Sequence, residues 1–248
     1  MSRLSLCAAV LAVLALAPRP ATARCASQFT QTWPEDRAAG VPTNASVVVV
    51  VGDTLGVDGA LPLLRLTSAR DRAVTLTPIL DQTAGDGVRA QRTIVLAPER
   101  PLRAGTEYRL SARIGARGRV RVTFRTGRGP DATPPRLTAV RTGAFDSTEF
   151  GCGPAHQISI LLDGATDDRA LPLVRVRLAR SAADLAAGRL VGDVLVARDA
   201  DGIARLGHGM CFGNWPLEPG DRFVARVSVV DAAFLESPPL APIALEAR

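Results

Sequence analysis

The chain has 248 residues, 47% of them apolar, with 30 basic residues against 24 acidic ones and a formal net charge of +6. All 30 basic residues are arginine. Without lysine the chain cannot be a phosphate-loop NTPase, a Schiff-base enzyme or a Ser-x-x-Lys acyl transferase, and so large an apolar share argues for a packed core rather than disorder.

The N-terminus reads as a Sec signal peptide over residues 1–23. Arg3 supplies a positive start, and residues 4–17 are an apolar stretch too short to span a bilayer well. Ala21-Thr22-Ala23 then offers the small-x-small pattern that precedes cleavage. Cleavage would remove Arg3 and Arg19 and no acid, leaving 28 arginines against 24 acids. That mild excess does not by itself argue for nucleic acid or a membrane surface. No later stretch is apolar enough for a transmembrane segment, so an exported protein, periplasmic, secreted or at the cell surface, is expected.

From there the chain reads as short strands. "SVVVVV" (46–51) is a β-branched run suited to a buried strand. "AVTLTPIL" (73–80), "RTIVL" (92–96), "EYRLSARI" (107–114) and "RVRVTFR" (119–125) come next, separated by Gly, Pro or Asp. "GRGPDATPP" (127–135) is a short proline-rich joint that should restrict the angle between the two halves of the chain. Beyond it come "QISILLD" (157–163), "LVRVRLA" (173–179), "DVLVAR" (193–198), "RFVARVSVVD" (222–231) and "PIALEA" (242–247). Asp201-Gly202 is a turn signal. A helix of one or two turns is predicted over 181–188, capped by Ser181 with Asp184 and ended by Gly188.

Two motifs recur in the same order. "LPLLRLTSA" at Leu61 returns as "LPLVRVRLA" at Leu171. "RPLRAGTEYRLSARI" at Arg100 returns as "WPLEPGDRFVARVSV" at Trp215, matching Leu102 to Leu217, Gly105 to Gly220 and Tyr108 to Phe223. Such a repeat argues for duplication of a unit of about 110 residues. The physical reading of the second motif is a corner: Leu anchors in the core, Gly takes a left-handed turn, and the aromatic opens an inward-facing strand. A tyrosine in this place can hydrogen-bond back across the corner; a phenylalanine cannot.

"WPEDRAAGVPTNASVVVVV" (33–51), "LAPERPLRAGTEYRLSARI" (96–114) and "VTFRTG" (122–127) resemble the bacterial Ig-like domains of S-layer and other exported proteins. Pro34, Gly40-Val41-Pro42, Leu96, Pro98, Leu102, Gly105, Thr106 and Tyr108 carry the likeness. "EDRAAG" departs from the usual Asp-Gly-Ala lead. The resemblance implies a non-catalytic spacer, adhesive or structural module and brings no catalytic residues with it. The expected fold class is therefore all-β: two tandem immunoglobulin-like β-sandwiches after the signal peptide, at 24–127 and 136–248, joined by residues 128–135. The second sandwich is expected to be of Ig or fibronectin type.

Three cysteines survive cleavage. An exported chain permits disulfides, and Cys152 is paired with Cys211, leaving Cys25 over. His156 and His208, the only histidines, stand near those cysteines, and the four side chains together have the composition of a zinc site. The oxidising compartment favours the disulfide, so no metal, cofactor or catalytic residue is expected. "DGATDD" (163–168) and "DADG" (199–202) complete no calcium pattern and read as turns. Trp33 and Trp215 read as covers on the ends of a core. No serine-hydrolase elbow or metalloprotease motif is present.

Arg109, Arg113, Arg119, Arg121 and Arg125 fall on the outward positions of two neighbouring strands. They leave two functional readings. The first is a structural, adhesive or protein-interaction module of the cell envelope. Its rival is a binding protein for acidic polysaccharide or lipopolysaccharide, which would use the arginine stripe. No nucleic-acid partner is expected, because stacking aromatics do not interleave with the charges.

Overall fold

The computed structural model describes residues 30–52, 63–84, 91–114, 118–151, 153–167, 173–199, 201–209 and 213–248. The signal-peptide assignment and Cys25, Cys152 and Cys211 lie outside them. The described chain is built from fourteen strands and one short helix.

In the first half, β1 (Thr30–Trp33), β2 (Val47–Gly52), β4 (Leu76–Ala84) and β5 (Gln91–Pro98) form one antiparallel sheet, ordered β1-β2-β5-β4. β3 (Leu63–Ser68), β6 (Glu107–Ile114) and β7 (Gly118–Arg125) form the facing sheet, ordered β3-β6-β7. Between them lie Val47, Val49, Leu66, Ile94, Leu110 and Phe124, all buried in one core. This is the four-plus-three strand distribution of a constant-type immunoglobulin sandwich.

The second half repeats the plan with one change. β8 (Ala139–Phe150), β9 (Gly153–Asp163) and β12 (Ile203–His208) are ordered β12-β9-β8. β10 (Leu173–Ala179), β11 (Gly192–Ala197), β13 (Arg222–Val230) and β14 (Ile243–Glu246) are ordered β11-β10-β13-β14. The fourth strand of the unit has thus left the edge of one sheet for the edge of the other, the fibronectin-type arrangement. Its core gathers Ile158, Ile160, Val176, Leu206, Val227 and Leu245. The predicted helix is α1 (Ala182–Ala186), with the Ser181 side chain accepting the Asp184 N–H and Gly188 in the left-handed region.

The structure adds four strands, β1, β3, β8 and β12, that are not among the runs read from the sequence. All four lie at sheet edges, and β8 is largely exposed and broken by a bulge between Thr142 and Phe145. A strand exposed along most of its length, as β8 is, needs few apolar residues and leaves little pattern to read. The Asp201-Gly202 turn exists, but it does not close an ordinary hairpin. β11 and β12 enter opposite sheets, joined near the turn by an isolated Arg198–Ala204 bridge and a bond from the Asp199 N–H to the Ile203 carbonyl.

The repeated corner shows how one fold position is satisfied twice. Gly105 and Gly220 both take positive φ, 61° and 92°. Leu102 and Leu217 are both buried. In the first unit the Tyr108 hydroxyl accepts the Arg103 N–H at 2.9 Å. The matching N–H in the second unit belongs to Glu218. It donates instead to Asp221 Oδ2 at 3.0 Å, so the missing hydroxyl is replaced by a carboxylate three residues along. The Phe223 ring, freed of that task, packs edge-on to Trp215 and lies under the Arg180 guanidinium, 4.7 Å from the ring centre.

The run "VVVVV" does not alternate, and the structure gives the reason. Val47, Val49 and Val51 face the first core, whereas Val48 and Val50 face away from it into a third apolar cluster with Val95. The rest of that cluster is Leu173, Leu195 and Val230, from the outer face of the β11-β10-β13-β14 sheet. A strand wetted on neither face needs apolar residues at every position. The two sandwiches therefore stack sheet against sheet through a dry seam. Each of its six side chains contributes roughly 1.5–3 kcal/mol of gross burial. A backbone bond from the Ser46 N–H to the Ala232 carbonyl, 3.0 Å, closes one end of the seam.

Candidate functional site

Strand register decides where the arginines go. β6 and β7 pair with Arg113 opposite Arg119, Ser111 opposite Arg121, and Glu107 opposite Arg125. β3 adds Arg65 opposite Ser111. Tyr108, Leu110, Val122 and Phe124 point into the core, so period two sends the arginines to the outer face. Arg65, Arg109, Arg113, Arg119, Arg121 and Arg125 are all exposed there. The five predicted arginines lie on this one face, and Arg65 joins them.

The electrostatics of this face set it apart. Its three strands carry six arginines and one acid, Glu107. Among the described residues, none of the six makes a salt bridge. Arg125 donates to the Gly105 carbonyl at 3.2 Å. Like charges directly opposite across an antiparallel pair are destabilising, and Arg113 with Arg119 is such a pair.

The matching sheet of the second unit treats the same residue type differently. Arg175, which the repeat aligns with Arg65, holds Asp193 in a two-pronged contact of 2.6 and 2.8 Å. Arg177 holds Glu236 through two bonds of 2.6 and 2.8 Å, and Ser228 donates to the same carboxylate. Burial pushes the Glu236 carboxyl up, but the bonds from Arg177 and Ser228 outweigh it and hold the group below the usual carboxylate range. The second sandwich thus neutralises Arg175 and Arg177 internally, whereas the six arginines of the first face solvent.

The two histidines do come together. The β9–β12 register puts His156 opposite His208, with rings 5.2 Å apart and nearly perpendicular. Both are buried, at 4% and 1% exposed. His156 Nδ1 sits 3.1 Å from the Ser147 hydroxyl, and His208 Nε2 sits 3.1 Å from the Leu217 carbonyl. These contacts describe histidines packed into the end of the second core. The cysteines that the sequence placed with them lie outside the described residues. Trp215 covers that core, and Trp33 packs against both the first core and the seam.

Beside the seam runs a groove of 470 Å³ lined by Gln31, Trp33, Asp36, Val50, Arg198 and Asp199, among others.

A second polar cluster is not visible in the sequence. Asp131 of the joint, Asp167 after β9 and Asp231 after β13 each offer a carboxylate oxygen within 4.8 Å of the others. The joint is held from the first sandwich by Asn44, whose side chain donates to the Asp131 carbonyl and accepts its N–H at 2.7 and 2.8 Å. Asp131 Oδ1 accepts the Thr133 N–H, and Asp231 Oδ1 accepts the Leu235 N–H. The other oxygen of each, Asp131 Oδ2 and Asp231 Oδ2, is buried with no hydrogen-bond partner. Burial, reinforced by the charges of Asp131 and Asp167, pushes the Asp231 carboxyl up to about 6. Three residues from three separate segments leave no local spacing, so no motif could have revealed them.

No family model matches the chain, and no curated protein matches it. Among solved structures, it is similar to the N-terminal Ig1-2 module of the Drosophila receptor protein tyrosine phosphatase DLAR, at 11% identity and a TM-score of 0.25. That match covers 88% of this chain and 97% of the module. It is also similar to a pullulanase from Anoxybacillus sp. LM18-11, at 10% identity and a TM-score of 0.25, covering 81% of this chain but only 24% of the pullulanase. At that level neither likeness bears on function, and the sandwich assignment rests on strand order and register.

Proposed function

We propose that the protein is a non-catalytic interaction module, exported by a bacterial cell to its envelope or beyond, whose contact surface is the arginine face of the first sandwich. The partner chemistry that fits is an extended polyanion, an acidic polysaccharide or lipopolysaccharide. What supports this reading is that six arginines cluster on one sheet face with a single acid among them and make no salt bridge among the described residues, whereas Arg175 and Arg177 on the matching sheet of the second unit are held by Asp193 and Glu236. Self-repulsion between Arg113 and Arg119 goes uncompensated by any such bridge, so an outside anion gains on binding what the sheet forgoes. A flat sheet face suits a chain-like ligand that lies across strands. The resemblance of residues 29–127 to exported bacterial Ig-like domains and the signal-peptide pattern both favour the envelope as its place of work.

The test is binding to purified lipopolysaccharide and to polygalacturonate by titration calorimetry. The reading predicts binding that weakens at least about tenfold between 50 and 300 mM salt, since exposed charges are screened over a Debye length. Arg119, Arg121 and Arg125 changed together to Ala should weaken it by a similar factor without lowering the melting temperature, since the change relieves the Arg113–Arg119 repulsion. Binding indifferent to that triple change would overturn the assignment of the face.

A further inference from the structure

We propose that Asp131, Asp167 and Asp231 form a calcium site that fastens the joint between the sandwiches to the second one. Three carboxylates with mutual oxygen separations inside 4.8 Å concentrate negative charge where little water can screen it. Asp131 and Asp231 are 4% and 2% exposed, and each keeps one oxygen without a partner. An orphaned buried carboxylate oxygen is costly to the fold, and two in one cluster call for a shared ligand. Each of these two residues spends its other oxygen on a backbone N–H of its own loop, which fixes where the orphaned oxygen points. That division of labour is what a preformed cation site requires. Ser46 Oγ, another buried oxygen without a partner, lies in the same region: the Ser46 N–H bonds the carbonyl of Ala232, next to Asp231.

The ligand set selects the ion. All-oxygen donors suit a hard cation and disfavour zinc or copper. Magnesium holds its waters and demands near-octahedral geometry, whereas calcium sheds water readily and accepts irregular carboxylate sets. With Asp131 and Asp231 buried and Asp167 partly so, an ion here must give up part of its hydration shell, which favours calcium. Asn44 already ties Asp131 to the first sandwich, so an ion joining Asp131 to Asp167 and Asp231 links the two halves across the linker.

The experiment is calorimetric titration of the full chain, freed of metal with EDTA, with CaCl₂, MgCl₂ and MnCl₂, alongside thermal melts. Calcium should bind one to one with a Kd of about 0.1–1 mM, the range of extracellular modules. It should raise Tm by roughly 5–10 °C at a hundredfold excess. Asp167→Asn and Asp231→Asn should each weaken binding at least about tenfold, and Asp231→Asn should keep or raise the calcium-free Tm, because it removes a charge repelled by Asp131 and Asp167. Limited proteolysis of the unaltered chain gives an independent reading: calcium should slow cleavage within 128–135. No heat and no Tm shift with calcium up to about 20 mM, well beyond that range, would overturn the site. So would binding that survives both substitutions, or tighter binding of magnesium. Polyanion binding by the first sandwich does not depend on this result.

Discussion

The corner hydrogen bonds show how much single side chains decide here. Tyr108 is 1% exposed and its hydroxyl is the acceptor for the Arg103 N–H. Tyr108→Phe should therefore cost about 1–2 kcal/mol, the penalty for a backbone donor left unpaired, read from urea unfolding. Phe223→Tyr should bring no matching gain, because Asp221 already serves the Glu218 N–H. Asp221→Ala should cost about as much as Tyr108→Phe. Equal stability of Tyr108→Phe and the parent would contradict this account of the corner. Glu236 makes a second residue-scale test. Its folded-state pKa is depressed by Arg177 and Ser228, which outweigh its burial. Its contribution is thus present above the unfolded carboxylate range and is lost as pH falls through the folded value. The Tm gap between the parent and Glu236→Gln should be widest near pH 7 and close below about pH 4. A gap independent of pH would contradict the role given to Glu236.

Within one strand, alternate residues do different work. Val49 faces the first core and Val50 faces the seam. Val49→Asp should unfold the first sandwich, because a buried unpaired charge has no relief. Val50→Asp should leave both sandwiches folded and part them, read as an enlarged radius of gyration with retained β-sheet circular dichroism. If the two substitutions behaved alike, the seam would not be an interface between separately folded units. This strand also marks how far the sequence could be read. Its unbroken valines announced burial, and the repeat announced two copies, but a one-dimensional pattern could not say that the second buried face met another sandwich. The central strands, the α1 cap and the glycine corners were legible because each depends on neighbours in sequence. β8 and β12 were not, nor was the passage of the fourth strand between sheets. The arginine face was legible because period two alone places it. The aspartate cluster was not, because Asp131, Asp167 and Asp231 meet only through tertiary folding.

Taken whole, the molecule is two copies of one plan whose outer surfaces have diverged. The second sandwich settles Arg175 and Arg177 against Asp193 and Glu236 and offers the apolar end of that sheet to its neighbour. The first covers one sheet with the seam and leaves the other bare and basic. An apolar interface and a short, hydrogen-bonded joint oppose the free domain motion expected of a flexible tandem. The pair thus presents one fixed charged face rather than two independent ones. Amide hydrogen exchange of the full chain with and without bound lipopolysaccharide tests this most directly. The account predicts new protection concentrated on β6 and β7, beside Arg113, Arg119 and Arg121, with the β11-β10-β13-β14 sheet unchanged. Protection that fell on the groove beside Trp33 and Asp199, or on the second sandwich, would contradict it.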